Sequence, residues 1–224
     1  LLEDFLAMVQ IDSESLNEKG MGDYVKNILS SFADEIHEDS AKEAIGSNQS
    51  NIIAKIYGNT RKKTLLFACH LDTVKPGIGV KPVVDNGIVR SDGTTILGAD
   101  DKAGIASLFE AVRYIKEHDI DIPNLELVFT VAEEIGLKGA KNLDFSLIKA
   151  KEGYALDSED VEGVFVRAPS QNFVGIEIEG VESHAGMSPE KGISAIKTAS
   201  EAISKMPLGR IDSHTTANIG IIQG

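Results

Sequence analysis

Apolar residues recur at helical spacing from the first residues of the chain. Leu2, Phe5, Leu6 and Val9 share one face within residues 1–10. A polar stretch with Gly20 and Gly22 follows, and Tyr24, Ile28, Leu29 and Phe32 then mark a second amphipathic helix. The pattern changes period after that. Residues 51–57 read as a strand, and residues 64–69 as an apolar strand without alternation, which predicts cover on both faces. Pro76, Gly77 and Gly79 break the chain beyond it. Ile105, Leu108, Phe109, Val112 and Ile115 give one apolar stripe, predicting a helix over 101–118. Residues 125–131 form another buried-strand pattern, and residues 153–156 a shorter one. Strands and helices alternating in this way predict an α/β layered domain with a mostly parallel central sheet.

The pattern shifts near Ser170. Val174, Ile176 and Ile178 alternate with Gly175, Glu177 and Glu179, as expected for a strand over 173–180 in a sheet with one wet face. Ile193, Ile196, Ala199, Ile203 and Met206 predict a helix over 192–206, and residues 216–222 read as a further strand. This tail is α+β in character. It places a domain boundary near Ala168, giving domains of residues 1–168 and 169–224, with no internal repeat or low-complexity tract in either.

Charge narrows the range of partners. Lys and Arg number 22 and Asp and Glu 35, a net charge of −13 over 224 residues. Such a surface disfavours nucleic acid and anionic membrane as partners and tolerates cations. The single Cys69 excludes an intramolecular disulfide framework and fits a reducing, cytoplasmic compartment. No apolar run approaches the ~18–20 residues that cross a bilayer. No signal-peptide pattern is visible, in a chain that begins at Leu1.

Four junctions carry candidate chemistry. His70-Leu71-Asp72 closes the strand over 64–69, where an imidazole could ligate a metal with a carboxylate orienting it. The plain alternative is a strand-end His beside a turn Asp. Gly98-Ala99-Asp100-Asp101-Lys102-Ala103-Gly104 opens the periodic helix, and helix capping accounts for one of its acids but less well for two. Glu133-Glu134 follows the buried strand 125–131, and Asp157 follows the strand over 153–156. Each is also readable as a solvated loop acid. In a parallel sheet, however, all four junctions converge on one edge. Acids gathered there repel unless cations neutralise them. A His-plus-carboxylate set suits Zn²⁺, with Mn²⁺ or Co²⁺ possible. A pair of metals ~3.5–4 Å apart would account for so many acids.

The motifs HLDTV (70–74), GADDKAG (98–104), AEEIG (132–136) and ALDSE (155–159), with SHAGMSPEKGISAI (183–196) after them, carry a resemblance. In this order they resemble the peptidase T-like tripeptide aminopeptidases. Those enzymes form part of a dizinc metallopeptidase family that also holds carboxypeptidases, aminoacylases and succinyl-diaminopimelate desuccinylases. The resemblance implies a zinc-peptidase-like layered domain, with residues 1–168 as the N-terminal part of the catalytic domain. Residues 169–224 would be part of a smaller α+β lid or dimerisation domain. It implies His70 and Asp157 as ligands of a first zinc, Asp100 as the bridge, Glu134 as a ligand of a second zinc, and Asp72 as the carboxylate orienting His70. It also implies a cis peptide after Asp100, Glu133 as general base, and His184 as a lid residue that steadies the reacting carbonyl, often across a dimer interface. Asn218 is a weaker candidate for a substrate contact from the lid.

The implied reaction is metal-dependent hydrolysis of peptide bonds in short peptides through a metal-bridged water, with two Zn²⁺ per complete site. Acylase or carboxypeptidase chemistry is the nearest alternative. The family draws a further metal-ligating His from near the C-terminus of a longer chain. His214 lies in the lid pattern, His37 on a short polar segment and His118 at a helix end, so none of them fills that place. The sequence therefore reads as truncated, and a non-catalytic metal-binding fragment is the reading of another class. Mg²⁺-dependent phosphoryl transfer fits poorly, since no GxxxxGK loop is present. Cys69, on an apolar strand, reads as a buried inert thiol.

Overall fold

The structure is a computed structural model that describes residues 1–158, 160–168 and 170–223. The chain divides into two compact units, Leu1–Val161 and the part from Glu162 onward. In the larger unit the order is α1 (Leu2–Val9), α2 (Lys19–Leu29), β1 (Glu35–Glu38), α3 (Ala41–Ile45), β2 (Ile52–Ile56) and β3 (Leu65–His70). It continues with β4 (Pro82–Asp85), β5 (Ile88–Ser91), α4 (Ala99–Glu117), β6 (Leu125–Thr130), α5 (Lys138–Lys141) and β7 (Glu152–Ala155).

Five strands form one sheet in the order β1-β2-β6-β3-β7. β3 pairs in parallel with both β6 and β7, while β2 runs antiparallel to β1 and β6. All strands but β2 therefore point the same way, which is the mostly parallel sheet the sequence predicts. β6, with the sequence LELVFT, is buried along its whole length at the sheet centre. Alternate residues Leu125, Leu127 and Phe129 join Ile52, Ala54 and Ile56 in a core with Met8, Met21, Val25 and Leu29 of the first two helices. The apolar stripe of α4 supplies Ile105, Leu108, Phe109 and Val112 to the same core. The Phe109 ring packs edge-on to Phe32 at 5.9 Å and tilted against Phe129 at 6.0 Å. Ile53 and Val128, one register position away, are buried as well, so β2 and β6 are covered on both faces.

Several expectations shift in detail. β3 is fully buried only at Cys69 and His70, and Leu65–Ala68 are half-buried because the neighbouring β7 is exposed throughout. The short polar segment that carries His37 is edge strand β1, half-buried against β2. A hairpin the periodicity does not show joins β4 and β5 through Asn86-Gly87, whose φ angles of 51° and 79° suit a primed turn.

The smaller unit holds α6 (Ala195–Ile203), capped where Ser194 Oγ accepts from Lys197 N at 3.1 Å, and a short antiparallel pair, β8 (Gly209–Arg210) with β9 (Thr216–Ala217). The helix predicted over 192–206 and the strand over 216–222 are thus shorter than expected. Residues 173–180 form no strand, because they have no ladder partner among the described residues. Phe173 and Val174 stand about four-fifths exposed. Among the described residues no helix is long and apolar enough to cross a membrane.

Asp4 ties α1 to α4. Both its oxygens accept from the Arg113 guanidinium, and Tyr24 Oη donates to Oδ1 at 3.3 Å. The Arg113 bonds outweigh burial and hold the Asp4 carboxyl below its ordinary value of 3.8. A depressed carboxylate stabilises the fold above that ordinary value, and the contribution is lost as pH falls through the native one. The Asp4→Asn variant is expected to lose about 1 kcal/mol at neutral pH, with a shallower fall in stability than wild type below about pH 4. Urea titrations across the acid range measure both.

Candidate functional site

The site grows from the C-terminal ends of three adjacent parallel strands, β6, β3 and β7. The ladder continues one residue past each junction, with Leu71 N donating to Thr130 O at 2.8 Å and Leu156 N to Ala68 O at 2.9 Å. His70 ends β3, Glu133 and Glu134 follow β6, and Asp157 follows β7. Asp100 comes from the opening of α4, where Asp100 and Asp101 are non-helical and joined by a cis peptide, as the resemblance implies.

His70 is the meeting point. One carboxylate oxygen each from Asp100 and Asp157 lies with a His70 nitrogen in a group whose atoms are all within 4.8 Å. His70, Glu133 and Glu134 form a second such group. The ring is 2% exposed, with Nε2 2.8 Å from Asp100 Oδ1 and Nδ1 3.4 Å from Asp72 Oδ1. That second approach lacks hydrogen-bond geometry, so Asp72 meets the buried Nδ1 as a close charged neighbour. Burial opposes a charged ring, but Asp72 and Asp100 outweigh it and push the imidazole pKa up to about 10.

Asp72 organises what surrounds the histidine. It is fully buried, and its oxygens accept from Glu133 N at 2.9 Å, Glu134 N at 3.2 Å and Ser15 Oγ at 2.6 Å. Burial alone would raise its pKa, yet His70 and these donors lower it. The same carboxylate therefore faces the imidazole and fixes the backbone of both glutamates. Asp101 plays a parallel part on the other side, accepting from His70 N at 3.2 Å. Burial pushes its carboxyl up to about 7.

The acids around His70 crowd one another. Asp157 is raised first by burial and then by Asp100. Glu134 is raised by burial and then by Asp100, and Glu133 by burial with Asp157 and Asp72 adding to it. A divalent cation would reverse this repulsion. The donor set, one imidazole nitrogen and several carboxylate oxygens, fits Zn²⁺, Mn²⁺ or Co²⁺. The buried carboxylate facing Nδ1 matches the usual outer partner of a metal-bound histidine, with Nε2 left for the ion.

Gly104 sets how closely the pieces meet. A Cβ there would lie 2.1 Å from Asp101 Oδ1 and 2.7 Å from the Leu156 carbonyl oxygen. Its small size thus lets the end of β7 approach α4 and brings Asp157 beside Asp100, a role in chain packing more than in ligand approach.

His184 and Asn218 are exposed and belong to the smaller unit, where the N–H of Gly186 donates to His184 Nδ1 at 3.2 Å. Of the ALDSE motif, Glu159 lies outside the described residues. His118 ends α4, its ring stacked on Tyr114 at 4.0 Å, and Cys69 is a buried free thiol whose pKa burial raises. Hydrophobic periodicity gives no sign of Ser15, Asp101 or Lys102 as supports. Lys102 is buried at the start of α4, donates to Ile11 O at 3.1 Å, and is pushed down to about 8 by burial. The one available signal is that polar residues flank a strand end or helix start.

Residues 51–155 match the peptidase family M28 and residues 173–224 match the peptidase dimerisation domain. The chain is 52% identical over its full length to the uncharacterized protein YqjE of Bacillus subtilis, covering 61% of that protein. It is 29% identical to peptidase T of Clostridium perfringens, over 96% of this chain and 54% of that protein. Among solved structures it superposes on aminopeptidase PepT of Bacillus cereus with a TM-score of 0.81 and 41% identity, over 98% of this chain and 60% of that one. A tripeptidase of Staphylococcus aureus gives a TM-score of 0.85 and 37% identity, over the whole of this chain and 60% of that one. The chain thus spans about three fifths of the length of these relatives. These matches run along nearly the whole of this chain, so it is similar throughout to peptidase T and to the aminopeptidase and tripeptidase structures, with peptidase-family matches in both of its parts.

Proposed function

We propose that this chain carries the metal centre of an aminopeptidase that hydrolyses peptide bonds in short peptides, tripeptides above all. The observation that carries the reading is the convergence of Asp100, Asp157, Glu133 and Glu134 on His70. The aminopeptidase and tripeptidase structures it superposes on support the substrate class. In this reading His70, Asp100, Glu134 and Asp157 would hold the metal, two Zn²⁺ in a complete site. A bound divalent ion supplies Lewis-acid polarisation and a water of lowered pKa.

The chain's own groups do the rest. Asp72 faces the back of His70 and holds the ring with its Nε2 toward the acids. Glu133, half-buried and raised by burial, takes a proton from water and returns it to the leaving amine. Its backbone N–H is held by Asp72 at 2.9 Å. In the domain reading, residues 1–168 belong to the catalytic domain and 169–224 to the lid. The match of 173–224 to a dimerisation domain supports a homodimer, with His184 presented to a substrate carbonyl.

A second reading, metal binding without turnover by this chain, has one observation in its favour. The ligand groups contain a single histidine, His70, among the described residues.

Two outcomes test these readings. Asp100→Ala is expected to abolish tight binding of Zn²⁺ or Co²⁺, measured by calorimetry on the chelator-stripped protein; retention of wild-type stoichiometry contradicts its role as a metal ligand. Glu133→Gln is expected to keep metal affinity while lowering tripeptide hydrolysis by about 10²–10⁴-fold. A wild-type chain that binds metal and cleaves no tripeptide supports the second reading.

A further inference from the structure

Glu18 is fully buried and belongs to neither group of ligand atoms around His70. It stands at the N-cap position of α2 but makes no side-chain cap bond to that helix. Its carboxylate turns elsewhere. Oε1 accepts from Leu16 N and from Ala132 N, each at 2.9 Å, and Oε2 accepts from Ser47 Oγ at 2.9 Å. Burial raises its pKa, so the fold keeps a group there that is costly to bury in its charged form.

What the carboxylate reaches explains its place. Ala132 has a φ of +51°, a left-handed conformation unfavourable for a residue with a Cβ. The next two residues are Glu133 and Glu134, whose N–H groups donate to Asp72. Three successive amides are thus held by two buried carboxylates, the first by Glu18 and the next two by Asp72. Glu18 also fixes Leu16, whose neighbour Ser15 donates to Asp72 Oδ2 at 2.6 Å. One side chain near the start of the chain therefore secures both approaches to the site.

We infer that Glu18 is a positioning residue of the metal centre, holding the Ala132 turn so that Glu133 and Glu134 face His70. The inference rests on the metal-centre reading above. Glu18 acts through its hydrogen bonds to Leu16 N and Ala132 N and belongs to neither group of ligand atoms.

Co²⁺ titration of the stripped chain by calorimetry, paired with amide hydrogen exchange at Glu133 and Glu134, tests it. Glu18→Ala is expected to weaken Co²⁺ binding about 10–100-fold, the usual cost of losing an outer support of a metal site, and to speed exchange at both amides. Glu18→Gln keeps an oxygen for the two backbone donors and can turn its NH₂ to the Ser47 hydroxyl, so it is expected to bind like wild type. A cooperatively folded Glu18→Ala chain with wild-type Co²⁺ affinity and exchange overturns the inference. Should Glu18→Ala fail to fold, Glu18→Asp and Ser47→Ala decide. The shortened acid must weaken binding while Ser47→Ala, which leaves the Ala132 bond in place, must not, and equal affinities overturn the inference. Absence of Co²⁺ binding by the wild-type chain overturns the metal-centre reading itself and the inference with it.

Discussion

A carboxylate withdrawn from water keeps its charge only where donors and a positive partner meet it. Asp72 satisfies that condition with the amides of Glu133 and Glu134, the Ser15 hydroxyl and the edge of the His70 ring. The consequence is mechanical as well as electrostatic. β3 and β6 are joined by their ladder, and beyond it their loops are joined through this one side chain. Histidine and glutamates thus share one buried carboxylate as a neighbour. Asp101 does the same for β3 and the start of α4, through the backbone of His70.

The order of strands explains why the acids meet at all. β6, β3 and β7 are neighbours that run in the same direction, so their C-terminal junctions open on one edge. The residues that follow them are separated by long stretches of sequence and by little space. A sheet of mixed direction at this position would send one junction to the opposite edge, and the antiparallel β2 does so harmlessly because it carries no site residue.

Much of this was legible in the residues. The apolar runs at 64–69 and 125–131 and the stripe from Ile105 to Val112 located β3, β6 and α4, because burial imposes a period that sequence displays. The acids at strand ends and at the start of α4 point to a cluster, and the fold brings His70, Asp100, Asp157, Glu133 and Glu134 together. Supports were less visible. Ser15, Glu18 and Asp101 are polar residues whose partners lie far along the chain, and no local pattern records a hydrogen bond of that kind. The alternation over 173–180 shows the converse failure. Val174 and Ile176 carry the pattern of a strand, yet a strand exists only where another chain segment offers its backbone.

Gly104 has a consequence beyond packing. A Cβ at this position would come 2.1 Å from Asp101 Oδ1 and 2.7 Å from the Leu156 carbonyl oxygen, so an alanine there would force α4 and the end of β7 apart. Asp101 accepts from His70 N, and Asp157 directly follows Leu156. One added methyl group would therefore disturb two neighbours of the histidine at once, from a position outside the cluster of ligand atoms.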